Sequence, residues 1–358
     1  MGVILLGYMS DAPSPLFGKL RSFFWPVHRD ELKVFTLMLV IFFLICLNYT
    51  LLRTVKDALV VTAKSSGADA LPFIKTYAIL PMSLLMMLLF TRLSNRFNTE
   101  KVFYVMISIF ISFFVLFSFV VYPYHEYLHP HQFADQCEKL LPAGFHGLIS
   151  LFRNWTFTAY YVMSELWSPA IVTVLFWGFV NEITSVEAAK RFYPILAVVA
   201  NVSSIFSGNL ATFIANLGIS LNAEQGTDAW AHSLMMMSLV IFIAGIATMI
   251  IFRWLNKSIV NNPLAKSGSF KVNQKDPSIK MGLRKNFSFL VKSPYLLYIA
   301  VIVLAFNIAM NLTEVLWKDQ LHQLCKTPNQ YLAYMGKVSI AIGIVATVSA
   351  LLCGKVIE

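Results

Sequence analysis

Polar and charged residues stand within or at the ends of apolar stretches long enough to cross a membrane, where they could line a substrate pathway. An ionisable side chain in the middle of such a stretch costs roughly 2.5–3.5 kcal/mol unless it meets a cavity or a partner, so each marks a candidate functional group. Arg53-Thr54-Val55-Lys56-Asp57 interrupts the first stretch, and the largely apolar residues 58–63 that follow suggest that the helix continues through the charges. Arg53 and Asp57 are four apart and share a helix face, which suits an intrahelical ion pair and leaves Lys56 to project into a cavity. The other reading is that these residues end the span and snorkel to the interface. Glu165 lies in Tyr161-Val162-Met163-Ser164-Glu165-Leu166-Trp167, with Ser168-Pro169 next. Proline frees a backbone carbonyl and bends the helix, so a lone carboxylate here suits a substrate pathway, while a protonated and packed carboxyl is the plainer alternative. Asn307, Asn311 and Glu314 are spaced by four and three and stripe one face, with Lys318 four residues on as an ion partner for Glu314. That stripe suits a water-filled cavity; a helix end at the interface would explain Glu314 and Lys318 but not Asn307.

The elements that must position these residues are read from composition. Of 358 residues, 58% are apolar and 13% charged, with 30 Phe, against about 45–50% and about 25% in an ordinary soluble domain. A disordered chain, a disulfide scaffold (four Cys in this length) and a nucleic-acid-binding module are excluded, in spite of a formal net charge of +10. The fold class is all-α, a polytopic membrane bundle, because backbone groups in lipid must pair within their own helix. Eight spans are predicted at 34–52 (with a further apolar stretch to 61), 73–90, 102–122, 157–180, 193–214, 233–254, 295–313 and 334–356. Residues 1–33 hold Pro13, Pro15 and Pro26 and read as a cytoplasmic tail rather than a signal peptide. Lys and Arg mark the cytoplasmic loops: Lys19, Arg21, Arg29 and Lys33 in the tail, Arg92, Arg96 and Lys101 after the second span, Lys190 and Arg191 after the fourth. Residues 255–293 form a basic linker. Between Arg253 and Lys292 nine basic residues oppose Asp276 alone, which accounts for eight of the ten excess charges. It reads as a solvated linker, with an anionic-lipid contact or a nucleotide-phosphate site as the alternative.

Six spans, a long linker and more spans is the layout of twelve-helix secondary transporters. Residues 34–254 are then the first six-helix half and 294–358 the first two helices of the second half, so the chain is expected to stop after the eighth span of twelve. Leu93-Ser94-Asn95-Arg96-Phe97-Asn98-Thr99-Glu100-Lys101 resembles the conserved loop of the major facilitator superfamily at that position. On the fifth span, Asn201, Ser203, Ser204, Ser207, Gly208 and Asn209 read as helix–helix packing; Lys337 sits near the outer end of the eighth. No phosphate loop or metal-spaced His or Cys cluster is present, and His125, His129, His131 and His146 fall in the outer third-to-fourth loop, where solvation is the expectation. Cys137 and Cys325 both fall in outer loops, a placement that permits a bridge without requiring one. No metal and no cofactor are expected.

In order along the chain, Asn48-Tyr-Thr-Leu-Leu-Arg-Thr-Val-Lys56-Asp57, Arg153-Asn-Trp-Thr-Phe, Ser164-Glu165-Leu-Trp167 and Phe176-Trp-Gly-Phe-Val-Asn-Glu-Ile-Thr184 are followed by Glu187-Ala-Ala-Lys190-Arg191-Phe-Tyr193, Asn311-Leu-Thr-Glu314-Val-Leu-Trp317-Lys318 and Tyr334-Met-Gly336. From about Phe17 onward the chain resembles the ATP/ADP translocase family of obligate intracellular bacteria and plastids. The resemblance implies a major-facilitator-like nucleotide transporter of the bacterial inner membrane, not an enzyme, that exchanges ATP for ADP by alternating access. It implies transport roles for Lys56, Glu165 and Glu314, with Arg53, Asp57, Asn311 and Lys318 around them, and a further family Lys beyond Glu358. Departures are Ser168-Pro169 where the family often has Gly, and Thr54 where many members have Asp. Since some members import other nucleotides with protons, net proton-coupled uptake of GTP, UTP or CTP is the alternative. The expected partners are ATP, ADP or other nucleotides, with phosphate or protons as co-substrates, and the lipid bilayer; nucleic acid is not among them.

Overall fold

The computed structural model describes residues 25–29, 31–225, 229–261, 294–325 and 327–353. It is all-helical, with no strand among those residues and eight helices long and apolar enough to cross a membrane. They are Leu32–Val61, Ala70–Arg96, Thr99–Leu128, Trp155–Ile183, Val186–Ser220, Ala229–Ser258, Leu297–Leu324 and Pro328–Ala350, in the order expected. Most of the basic linker, from residue 262, lies outside the described residues, as do the tail to residue 24 and residues 354–358.

The first span is the axis of the bundle. It packs against the fourth, fifth, sixth and eighth spans, and at its outer part against the seventh. Its charged sequence Arg53 to Asp57 does not end it; the helix runs unbroken to Val61. Small residues set the close approach of the fifth and eighth spans, where a Cβ on Gly208 would overlap the Gly336 carbonyl oxygen. Lipid offers no hydrophobic drive between helices, so backbone proximity and interhelical hydrogen bonds hold such a crossing. Accordingly Ser203 and Ser207 donate to the Phe43 and Leu47 carbonyls of the first span at 3.0 and 3.3 Å, and Ser204 to Ser339 O at 3.2 Å. The polar stripe of the fifth span is therefore a packing surface. At the N-terminal end of the first span, Glu31 clamps it to the fifth, since Arg191 donates to both its carboxylate oxygens at 2.7 and 2.9 Å.

The third-to-fourth connection is more ordered than a solvated loop. It folds into helices His131–Leu140 and His146–Arg153 that cap the end of the bundle at which this connection lies. Arg153, 2% exposed, donates to Asp135 at 2.6 Å and lies 3.0 Å from Glu138, while His146 reaches Asp69 at 2.7 Å. The hydrogen bond from Arg153 holds the Asp135 carboxyl below its usual range. His129 is buried against Thr156 at 2.6 Å, with His125 and His131 beside it, which corrects the expectation that these histidines are solvated. Burial lowers His129 to about 4, reinforced by the neighbouring His125 and His131. Cys137 and Cys325 are free thiols, so the bridge that their placement permitted is not formed.

The second and seventh spans are the least covered. Their most apolar windows are 6% and 0% buried, and they expose rows such as Leu84, Leu85, Leu88 and Val301, Ile302, Leu304. These two spans supply half of the charge cluster described next.

Candidate functional site

Asp57, on the C-terminal third of the first span, is fully buried and accepts from two ammonium groups: Lys56 Nζ at 2.9 Å and Lys318 Nζ at 2.8 Å. Lys318 is 1% exposed and also donates to Glu314 at 2.7 Å, one helical turn before it on the seventh span. Glu314 in turn takes Lys75 of the second span at 2.7 Å, and Lys75 donates to Asn311 Oδ1 at 2.6 Å. Lys56, 2% exposed, lies 3.5 Å from Glu165 and 3.8 Å above the ring of Tyr161, both on the fourth span. The stretch binds first, second, fourth and seventh spans through one continuous chain of charges.

The charge arithmetic of the chain is balanced. Three ammonium groups (Lys56, Lys75, Lys318) face three carboxylates (Asp57, Glu165, Glu314) and the sum is zero. Balance is what makes the burial tolerable, because each ion loses hydration on burial and only opposite charges held against it offset that loss. Arg53 stands outside the balance. It is exposed, makes no ion pair within 4 Å among the described residues, and lies in the field of Asp57, Glu314 and Glu165. A guanidinium carries a planar fork of donors that matches phosphate oxygens, and Arg53 is the cation of this group that has no ion pair within 4 Å among the described residues.

This reverses the roles expected from spacing. The i,i+4 relation suggested that Arg53 would pair with Asp57 and release Lys56; instead Asp57 is taken by Lys56 and Lys318, and Arg53 is released. Asp57 is wholly buried, so only ammonium groups that are buried with it can compensate it, and Lys318 arrives from another span. The pair of Lys318 with Glu314 is the one local ion pair that the spacing anticipated. Asn307 Nδ2 and Asn311 Nδ2 bond back to carbonyls one turn earlier in their own helix, Val303 O and Asn307 O. Only Asn311 Oδ1 enters the cluster, while Asn307 stays exposed and outside it.

The backbone is adjusted at two cluster residues. The fourth span widens into π-helical turns over Ser168–Trp177 directly after Glu165. Pro169 lacks the N–H that would meet the Glu165 carbonyl, and a wider register supplies the partner from one residue further on. Lys75 stands in a second wide segment, Ile74–Ile79, ahead of Pro81. Lys75 and Tyr161 are the members that sequence reasoning passed over. Lys75 lies inside the second predicted span, so the rule that flags ionisable residues in spans was sufficient to find it. Nothing local pointed to Tyr161. Asp57 Oδ2 and the hydroxyls of Tyr161 and Tyr160 are buried without a hydrogen-bond partner. Among the described residues, no group of three His, Cys, Asp or Glu is arranged to hold a metal.

The model of a family described as the TLC ATP/ADP transporter matches residues 10–358. The chain is 40% identical over 347 residues to ADP,ATP carrier protein 1 of Chlamydia muridarum, covering 97% of this chain and 65% of that protein. It is 43% identical over 314 residues to the chloroplastic ADP,ATP carrier protein 1 of Arabidopsis thaliana, covering 88% of this chain and 49% of that protein. To the plastidic ATP/ADP-transporter of Solanum tuberosum it is 42% identical over 331 residues, covering 92% of this chain and 51% of that protein. The chain thus spans about two thirds of the bacterial relative's length and about half of the plastid ones. No solved structure matches it.

Proposed function

The chain belongs to the TLC ATP/ADP transporter family, and from that premise we propose that it serves the exchange of ATP for ADP across a bacterial inner membrane by alternating access. The single observation that carries the proposal is the neutral, buried charge chain that ties the first and second spans to the seventh, with Arg53 left exposed beside it. Residues 34–254 and 294–358 belong to the two halves of a major-facilitator-like bundle, with the N-terminus cytoplasmic as the Lys and Arg distribution favours.

In this reading the empty site is held shut by Asp57–Lys318 and Lys75–Glu314, the two ion pairs that join the halves among the described residues. Arg53 attracts the polyphosphate first, since a polyanion in a low-dielectric site gains most from the cation that has no carboxylate of its own. The phosphate oxygens then compete for Lys56, Lys75 and Lys318, and each ammonium they capture loosens a carboxylate that had closed the site. Glu165 keeps Lys56 in place while Asp57 is exchanged for phosphate. Without a nucleotide the carboxylates re-form their pairs and the halves do not reorient, which makes exchange obligatory.

Uptake of labelled ATP into proteoliposomes tests this, with vesicles preloaded with ADP, empty, or loaded with inorganic phosphate. The expected result is uptake driven by internal ADP and unaffected by a proton uncoupler; phosphate inside the vesicles shows whether it travels with ADP. Uptake into empty vesicles that collapses with the uncoupler would overturn the proposal. Proton-driven import of other nucleoside triphosphates is not favoured, because the relatives are named for ADP and ATP.

A further inference from the structure

From Lys33 to Asp57 the first span runs about 24 residues, ~36 Å at about 1.5 Å each, so its inner end is remote from the charge chain. At that end a cavity of about 920 Å³ opens between the starts of the first span and the end of the sixth. Arg29, Lys33 and Lys257 line it together with Trp254, Leu32 and Leu37. No carboxylate is among its described lining residues. Glu31, the nearest described acid in sequence, is 4% exposed and turned away, with both its oxygens held by Arg191 and one also taking the His28 N–H at 2.9 Å. Arg29, Lys33 and Lys257 are exposed and make no ion pair within 4 Å among the described residues.

Three cations around one opening, Lys33 and Lys257 on two helices and Arg29 on the turn ahead of the first, call for a phosphate-bearing anion. The remainder of the lining says which kind. Trp254 is 59% exposed and Leu32 45%, an indole and an aliphatic side chain beside the cations at the level where two spans leave the bilayer. Tryptophan favours the headgroup region, and lysine and arginine reach outward to it from apolar stems. A soluble phosphate would gain nothing from that apolar side; a glycerolipid would lay its glycerol and first methylenes against it. We propose that this cavity seats the phosphodiester headgroup of an anionic phospholipid, and that the lipid braces the first span against the sixth. The inference requires only that these helices span a bilayer and is independent of the transported substrate.

The test is the count of bound lipid by native mass spectrometry on the full-length protein taken from mixed micelles of phosphatidylglycerol and phosphatidylcholine. Wild-type protein is expected to retain phosphatidylglycerol in preference. Basic residues near an anionic headgroup contribute about fivefold each, so Arg29→Ala/Lys33→Ala/Lys257→Ala is expected to weaken retention on the order of a hundredfold. Lys257→Gln alone alters one exposed side chain, keeps the fold, and is expected to cost about fivefold. Arg92→Ala/Arg96→Ala/Lys101→Ala removes the same charge from residues that do not line the cavity, and is expected to retain the lipid. Equal loss in that second triple variant, equal retention of phosphatidylcholine, or displacement of the lipid by millimolar inorganic phosphate would each overturn the proposal, the last by assigning the cavity to a soluble anion.

Discussion

Replacing Lys318 with alanine removes an ammonium that serves two carboxylates at once, Asp57 at 2.8 Å and Glu314 at 2.7 Å. Taking one partner from a buried ion pair costs about 3–5 kcal/mol, because the other is left desolvated and uncompensated. Here each carboxylate keeps a second cation, Asp57 its Lys56 at 2.9 Å and Glu314 its Lys75 at 2.7 Å. The expected loss is therefore at the lower end, ~3 kcal/mol, or over a hundredfold in the folding equilibrium. Asp57→Ala should be worse, ~5 kcal/mol, since it leaves Lys56 and Lys318, 2% and 1% exposed, as buried like charges with no carboxylate between them. The double variant removes one charge of each sign, keeps Lys56 with Glu165 and Glu314 with Lys75, and should fall short of the summed losses by about 2–3 kcal/mol. Unfolding by denaturant of the four proteins in the same detergent gives the coupling directly. Additivity of the two single changes within about 0.5 kcal/mol would refute the reasoning, since it would mean that this pair carries no energy of its own.

Arg53→Gln removes the unpaired cation without orphaning any carboxylate; stability should change by less than about 0.5 kcal/mol, as for an ordinary exposed site, while half-saturation for ATP in the counterflow assay rises at least about tenfold. Arg53→Lys should recover part of that loss, and unchanged half-saturation in the glutamine variant would remove Arg53 from the substrate path. Gly208→Val drives a side chain into the Gly336 backbone of the eighth span, and overpacking of this kind should cost about 1–3 kcal/mol in the same unfolding assay. The buried His129 of the outer cap, lowered to about 4 from an ordinary 6.5, takes its proton less readily when folded than when unfolded. Its contribution is thus whole above pH 6.5 and declines as pH falls from there toward about 4. Thermal unfolding between pH 7.5 and 5 should show that decline, and His129→Gln, which can still hydrogen-bond Thr156, should flatten it.

Hydropathy placed all eight helices because the lipid requirement is local: about 20 apolar residues must run together wherever a helix crosses. The same rule flagged Lys56, Asp57, Glu165, Glu314 and Lys318 as residues that must have partners, and the small and hydroxyl residues of the fifth span as a packing face. One pairing, Glu314 with Lys318, followed from helical spacing alone. The rest of the site was not legible. Lys75 meets Glu314 from 239 residues away, and Asp57 meets Lys318 across two spans; no local periodicity encodes which helix faces approach.

What the amino-acid sequence determined by itself was the number and order of the spans and the set of charges too costly to leave alone in them. What the tertiary structure decided was who satisfies whom. Arg53 had the better spacing for Asp57, yet Lys56 and Lys318 hold it, because a fully buried carboxylate is compensated by cations buried with it rather than by one that keeps its access to water. That choice leaves a neutral lock between two groups of helices and a single guanidinium beside it, and both follow from burial, which only packing sets.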